Sequence, residues 1–308
     1  MPKFNQPDPR NAGTWCWVNG PVLRENAKVS VLDSVVQGGD AVWEGLRIAN
    51  GKVYQMEEHL HRLMDSAHAL MFADIPSLEE VRHAIFETLE RNQMTDGVHI
   101  RLTLTRGEKT TSGMDPKLNT MGSTLVVLPE YKGAVYGSGQ LSLITSSIRR
   151  NAPSFLDSKI HHNNLLNNIL AKIQANHAGA DDAVMLDDRG FLAETNATNL
   201  FLVKDSVLCT PHAHACLPGI TRAYTLNLAQ RLGISVKEGD FSLTELYTAD
   251  EAFTTGTMGG LAHITQVDGR SIGEGPGTGP GPVTQRLQEV YAQHIPCTPL
   301  PFLDGEGQ

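Results

Sequence analysis

Cysteine is scarce in this chain, with four residues at positions 16, 209, 216 and 297. Scattered over 308 residues, they exclude the disulfide framework of a small secreted scaffold and predict reduced thiols without bridges. Basic charge is short as well: 25 Lys and Arg face 34 Asp and Glu, a formal charge of -9. Without a Lys or Arg cluster, nucleic-acid and anionic-membrane partners are excluded, and any anion must be met by local donors. No stretch approaches the roughly 18 apolar residues of a membrane span. The opening MPKFNQPDPR has no apolar segment of signal-peptide length, so a cytoplasmic protein is expected. Internal repeats are also missing.

What is present is an ordinary globular composition, 40% hydrophobic and 19% charged, in a chain long enough for two domains. Segment 15–57 alternates apolar runs with turns and reads as a β-meander through TWCWVNGPVL, KVSVLD and AVWEGLRIANGKVYQM, with Asn50-Gly51 as a hairpin turn. From Glu57 the period becomes helical: Leu60, Leu63, Met64, Ala67 and Leu70 or Met71 share a face. A second helix opens on Ser77 and Glu80 as a capping box. Strands VHIRLTLTRG and STLVVLPEY close a first domain at 1–130. The Gly-rich YKGAVYGSG supplies a linker at 131–137, and 138–308 forms a second domain. There the pattern predicts a strand in LSLITSSI, a helix at about 163–178, strands at 182–187 and 199–203, and a turn at Lys204-Asp205. A helix at about 220–232, a strand pair around TTGTMGG, a turn at Asp268-Gly269, a last helix in VTQRLQEVYAQHI and a loose tail beyond Pro296 follow.

Four features carry chemistry. Lys159 ends a polar loop before a helix-like run; a lone lysine is by default a solvated charge, but here its amine can reach a cleft while its stem packs. Glu194 lies in the apolar run FLAETNATNLFLV, where a carboxylate is costly unless paired, either with a cationic ligand atom or with Arg189 across a turn. Gly219-Ile220-Thr221, after Pro218, opens a helix and directs backbone N–H groups and a hydroxyl at an anion; Gly256-Thr257 is a second such turn. Both are also ordinary cap and turn sequences. Arg62 offers the full charge a phosphate needs, or pairs with Glu58 one helical turn back. An amine nucleophile, a lone carboxylate and two donor loops are the parts a pyridoxal phosphate enzyme uses.

In this order and spacing the set resembles the fold-type IV, or class IV, aminotransferases of the branched-chain and D-amino-acid kind. The resemblance runs through VWEGLR at 42–47, EHLHRLMDSA at 58–67, HIR at 99–101, ETNATNLF at 194–201, LPGITR at 217–222, FTTGT at 253–257 and GPVTQRLQ at 281–288. It implies an α+β (α/β) fold of two domains, a small α/β domain and a larger pseudo-barrel. It further implies pyridoxal 5'-phosphate on Lys159, Glu194 at the pyridinium nitrogen, and a cofactor site of Arg62, Asn199, Leu217, Gly219, Ile220, Thr221, Gly256 and Thr257. A substrate pocket of Gly38, Trp43, Gly45, His99, Arg101, Asn164 and Met258 follows, with Trp43 as its apolar wall or as core, and so does a homodimer. The activity implied is amino transfer between a branched-chain-like amino acid and a 2-oxo acid such as 2-oxoglutarate.

Departures from the family bear on the substrate. Branched-chain enzymes usually carry tyrosines where this chain has Gly38, His99 and Asn164. Arg101 matches the position that accepts the distal carboxylate of glutamate, or else braces the sheet edge. The loop GEKTTSGMDP lacks the Arg-x-His pair of D-amino-acid enzymes, with Arg106 nearby as a turn residue. D-amino-acid or (R)-amine transamination and an aminodeoxychorismate lyase are the alternatives by analogy. From another class, His212, His214 and Cys216 alternate as zinc ligands on one strand face would, but no CxxC or HExxH spacing supports a metal, and none is expected. A binding module without chemistry would need an unreactive Lys159.

Overall fold

The computed structural model describes residues 8–133, 135–136 and 139–303, and by contact these fall into two compact units. One comprises 8–133, 160–164 and 296–303; the other comprises 135–136, 139–159 and 165–295. The short segments 160–164 and 296–303 therefore join the first unit, not the 138–308 stretch that composition suggested. Ala134 and Gly137 of the anticipated linker, and the first seven residues of the chain, lie outside the described residues.

The first unit opens with β1 (Trp15–Val18) and β2 (Pro21–Leu23), then α1 (Ser34–Gly38), β3 (Ala41–Ala49), β4 (Lys52–Tyr54), α2 (Met56–Ala69), α3 (Leu78–Arg91), β5 (Val98–Thr105) and β6 (Thr124–Tyr131). Its seven-stranded sheet runs from the strand Cys297–Pro299 through β4, β3, β5, β6 and β1 to β2. The expected meander is thus split. Hairpins β1–β2 and β3–β4 form, but β5 and β6 separate them, and KVSVLD is not a strand: it leads into α1, capped by Asp33. The β3–β4 turn places Asn50 and Gly51 both at positive φ, the conformation that favours Asn-Gly in hairpins. The tail beyond Pro296 is not loose either, because Cys297–Pro299 pairs with β4 and Leu300 is buried. The helices bury Leu60, Leu63 and Ala67 from α2 and Val81, Ile85 and Leu89 from α3, while Met71 lies exposed past the end of α2. The Ser77–Glu80 capping box is formed.

The second unit continues with β7 (Gln140–Thr145), α4 (Leu166–Ala178), β8 (Asp182–Leu186), β9 (Leu192–Thr195), β10 (Asn199–Lys204), β11 (Val207–Pro211), α5 (Ile220–Arg231), β12 (Val236–Gly239), α6 (Leu243–Tyr247), β13 (Glu251–Gly256), β14 (Gly260–Val267), β15 (Arg270–Ser271) and α7 (Pro282–His294). Its sheet runs β12-β11-β10-β13-β14-β7-β8-β9, with β15 on β14, and curls so that the end strand β9 lies against β10 and β11. This closure is the pseudo-barrel. It is fully buried along β8 and β9, including their polar residues Asp182, Glu194 and Thr195. The β10–β11 turn lies at Asp205-Ser206, one residue later than expected, with both residues at positive φ.

Candidate functional site

The second unit gathers Glu194, Asn199, Gly219 and Thr221 around one corner. β9 presents Glu194 opposite Met185 of β8, with its side chain in the interior and 5% exposed. Its expected ion-pair partner, Arg189, instead holds Asp187 and Asp240. Glu194 pairs with Arg150, whose Nε donates to Oε1 over 2.7 Å, while Asn199 Nδ2 donates to Oε2 over 3.1 Å. The same amide donates to the Leu217 carbonyl at 2.9 Å. Arg150 Nη1 in turn donates to the Oδ1 atoms of Asn167 and Asn168 on the first turn of α4. Sequence reading missed Arg150; nothing in SSIRRNA distinguishes it from its neighbour Arg149.

Gly219 is the N-cap of α5 and carries no capping side chain, so the first-turn amides face outward without an intrahelical acceptor. A methyl group at Gly219 would lie 1.9 Å from Asn199 Oδ1, so only glycine lets the cap approach that amide. Ile220 begins the helix, and the Thr221 hydroxyl is buried with no hydrogen-bond partner among the described residues. Such an orphan is expensive unless a ligand completes it. On β13 the hydroxyls of Thr254 and Thr255 are likewise buried without partners among the described residues, and a methyl at Gly256 would touch Thr198 Cγ2 at 3.0 Å. Thr257 and Met258 follow, half-buried, on the turn to β14.

Lys159 is exposed, its N–H donating to Asp157 Oδ1, and it closes the 139–159 segment of this unit. The buried Cys216 thiol reports the local charges. Burial and the Glu194 carboxylate push it up to about 12, against the pull of Arg222, Arg150 and Lys159. Lys159 and Glu194 therefore act on one point. His212 and His214 lie with ring centroids 5.1 Å apart, and among the described residues no group of three or more His, Cys, Asp or Glu could hold a metal.

The first unit holds the other expected residues around Glu44, which sequence reading overlooked. Glu44 is fully buried on β3 and accepts from Arg62 Nε at 2.8 Å and Nη2 at 2.7 Å, not leaving Arg62 to Glu58. Its carboxylate also meets His59 Nδ1 at 2.7 Å and His161 Nδ1 at 3.1 Å. Burial opposes ionisation of Glu44, yet His161 and Arg62 hold its carboxyl well below the ordinary range. Burial also drives His161 down to about 4, so the ring is neutral near pH 7 and serves Glu44 as a donor. The signal was legible: a lone carboxylate in AVWEGLRIA meets the criterion that singled out Glu194.

Segment 160–163 is laced onto β3, with Trp43 N donating to the His161 carbonyl, Asn163 N to Ala41, and Trp43 Nε1 to His162. The helix expected from 163 starts at Leu166 because these residues are committed to β3. Trp43 is half-buried, with the His161 ring at 4.0 Å and the Arg101 guanidinium 3.4 Å from its centroid. Arg101 lies on β5, between β3 and β6, so it does not brace a sheet edge. Burial lowers it to about 10 against the pull of the Glu44 carboxylate, and its Nη2 donates to Asn163 Oδ1 at 3.3 Å. His99, two residues earlier, is driven to about 4 by burial and then by Lys132. A methyl on Gly45 would come within 3.2 Å of His99 Nε2, so glycine there makes room for the ring. Gly38 and Asn164 are both exposed, the latter's Cα 3.9 Å from where a methyl on Gly39 would sit. Arg106 is tied to Asp40 and to the carbonyls of Leu70 and Met71.

Residues 41–267 match the family described as amino-transferase class IV. The branched-chain-amino-acid aminotransferase-like protein 2 of Arabidopsis thaliana is 57% identical over 309 residues, 100% of this chain and 53% of that protein. The chain thus spans about half the length of the plant relatives it matches. A putative branched-chain-amino-acid aminotransferase of Methanocaldococcus jannaschii is 40% identical over 89% of this chain and 94% of its own. Among solved structures, a T.th. branched-chain amino acid aminotransferase complexed with N-(5'-phosphopyridoxyl)-L-glutamate superposes with a TM-score of 0.83 at 34% identity, covering 91% of this chain and 93% of that one.

Proposed function

Because the chain belongs to the amino-transferase class IV family, we propose that it is a pyridoxal 5'-phosphate-dependent transaminase moving an amino group from a branched-chain-like amino acid to a 2-oxo acid such as 2-oxoglutarate. The observation that carries the cofactor is the buried, unpartnered Thr221 hydroxyl at an uncapped helix N-terminus, a donor set made for a phosphate. The residues fit the rest of the group. Glu194, a buried carboxylate held by Arg150 and Asn199, can hold a proton on a ring nitrogen. Asn199, through Leu217 and the space left by Gly219, shapes the phosphate corner, Gly256 and Thr257 add donors, and Arg62 is the cation that the family resemblance assigns to a phosphate.

The bound cofactor supplies an aldehyde that joins amines and a ring that withdraws electrons. Lys159 supplies the amine that carries the cofactor at rest. Freed when the substrate amine takes its place, Lys159 Nζ would remove the substrate Cα proton and return it on the far side of the substrate nitrogen. The second half-reaction reverses these roles with a 2-oxo acid. Arg101, half-buried over the Trp43 ring, supports an acidic co-substrate, and Trp43, Gly38, Gly45, His99, Asn164 and Met258 complete the substrate side of the reading. Leu166, Ile169, Leu170 and Ile173 form an exposed apolar stripe on α4, which supports a homodimer. The four free cysteines suit the reducing cytoplasm. No helix among the described residues is long and apolar enough to cross a membrane.

Borohydride reduction of cofactor-loaded protein followed by peptide mapping tests this reading. Label on Lys159 is expected, and label elsewhere or nowhere would overturn it.

A further inference from the structure

Glu44 has no assigned role in the reading above, yet it is the most heavily engaged carboxylate of its unit. It is fully buried, and its two oxygens meet Arg62 twice, His59 and His161 within 3.1 Å. The Arg62 contact is a bidentate fork, which fixes the guanidinium plane as well as its place. His59 and Arg62 project from the same face of α2, three residues apart, so one carboxylate orients the helix toward β3. His161 brings in the segment that follows Lys159, and its ring lies against Trp43, which carries Arg101. Arg62, His161, Trp43 and Arg101 thus form one continuous stack anchored on Glu44.

An ion pair made only for stability would gain nothing from this arrangement. Burying a carboxylate with an arginine contributes little net stability compared with apolar packing of the same volume. What the pairing does supply is orientation: a long, flexible arginine side chain is confined to one position before any ligand arrives. We infer that Glu44 is a positioning residue, which pre-organises Arg62 for an anionic phosphate and so sets how strongly the chain discriminates a phosphorylated pyridoxal from its unphosphorylated form. Glu44 does so without touching the ligand. This rests on the cofactor reading above, with Arg62 as a phosphate donor.

The test compares dissociation constants for pyridoxal 5'-phosphate and for pyridoxal, read by absorption, in the unaltered chain and in Glu44→Gln, Glu44→Asp and Arg62→Gln. Thermal unfolding of each variant is recorded alongside. In Glu44→Gln the phosphate form should bind on the order of tenfold to a hundredfold more weakly, the size of a lost charge-assisted hydrogen bond, while pyridoxal binding stays within about threefold. Adding Glu44→Gln to Arg62→Gln should weaken phosphate binding no further, since the effect runs through Arg62. Glu44→Asp keeps the charge and the fold but withdraws the carboxylate by one methylene, and should show the same selective loss if Glu44→Gln does not fold. Equal weakening of both cofactor forms, or full additivity with Arg62→Gln, would overturn the proposal and leave Glu44 purely structural. If the unaltered chain binds pyridoxal as tightly as the phosphate, Arg62 is no phosphate donor and the proposal falls with it. If it binds neither form, the cofactor reading itself fails.

Discussion

Glu194 and Glu44 use one device in two units: a single carboxylate in an apolar strand, neutralised by an arginine from another segment of the chain. The cost of the carboxylate was legible in the sequence, because a lone acid among buried apolar residues must be paired. Its partner was not. Spacing pointed to the nearby Arg189, and only the path of the chain before Asn151 brings Arg150 to 2.7 Å. Removing one member of such a pair leaves an uncompensated buried charge, so Arg150→Met should destabilise the protein by about 3–5 kcal/mol, measured by denaturant unfolding. A loss below about 1 kcal/mol would show the pair to be solvated. Glu194→Gln should retain cofactor yet slow proton removal from substrate by orders of magnitude, with a near-normal single-turnover rate contradicting the role given to Glu194.

The two depressed histidines make a pH prediction. His161 and His99 sit near pKa 4 in the folded chain against an ordinary 6.5, so the unfolded state binds more protons between these values. Their contribution to stability is therefore complete above pH 6.5 and is lost as pH falls toward 4. The melting temperature should drop across that interval, and His161→Asn should flatten the drop; an unchanged slope would mean that His161 is not buried neutral.

At the level of elements, local chemistry was readable wherever it is local. Asn50-Gly51 and Asp268-Gly269 turn where predicted because their positive φ values require such residues, and Ser77–Glu80 caps α3 because the box is complete within four residues. Strand order was not readable. The insertion of β5 and β6 between the first two hairpins, and the return of Cys297–Pro299 to β4, depend on contacts between residues remote in sequence. The start of α4 slipped for the same reason, since residues 160–163 are recruited by β3. The proposed phosphate corner lies at an element boundary, where Asn199 on β10 occupies the space a side chain at Gly219 would need. Gly219→Ala should raise the dissociation constant for pyridoxal 5'-phosphate at least tenfold, and Gly219→Ala with Asn199→Ala should recover part of it by removing the clash. Tight cofactor binding in the single variant would show that the corner yields without cost.

For the molecule as a whole, the apolar face of α4 is the feature least explained by a single chain. Four large apolar residues exposed along one helical stripe are tolerated where another surface covers them. Sedimentation should therefore show a dimer, and Leu170→Glu with Ile173→Glu should shift it to a monomer without unfolding; a monomeric unaltered chain would remove the dimer from the account. Fold class followed from the family resemblance that the motifs carry, whereas substrate preference did not, because Gly38, His99 and Asn164 stand where branched-chain enzymes usually carry tyrosines.

The most direct measurement of the central claim is a single half-reaction. Protein loaded with pyridoxal 5'-phosphate would be mixed with L-leucine or L-glutamate and no acceptor, and the 2-oxo acid and pyridoxamine 5'-phosphate formed would be quantified. The account predicts stoichiometric formation of both with at least one donor, and none with Lys159→Ala, whose fold remains intact. No amine transfer to the cofactor from either donor, or transfer undiminished in Lys159→Ala, would contradict it.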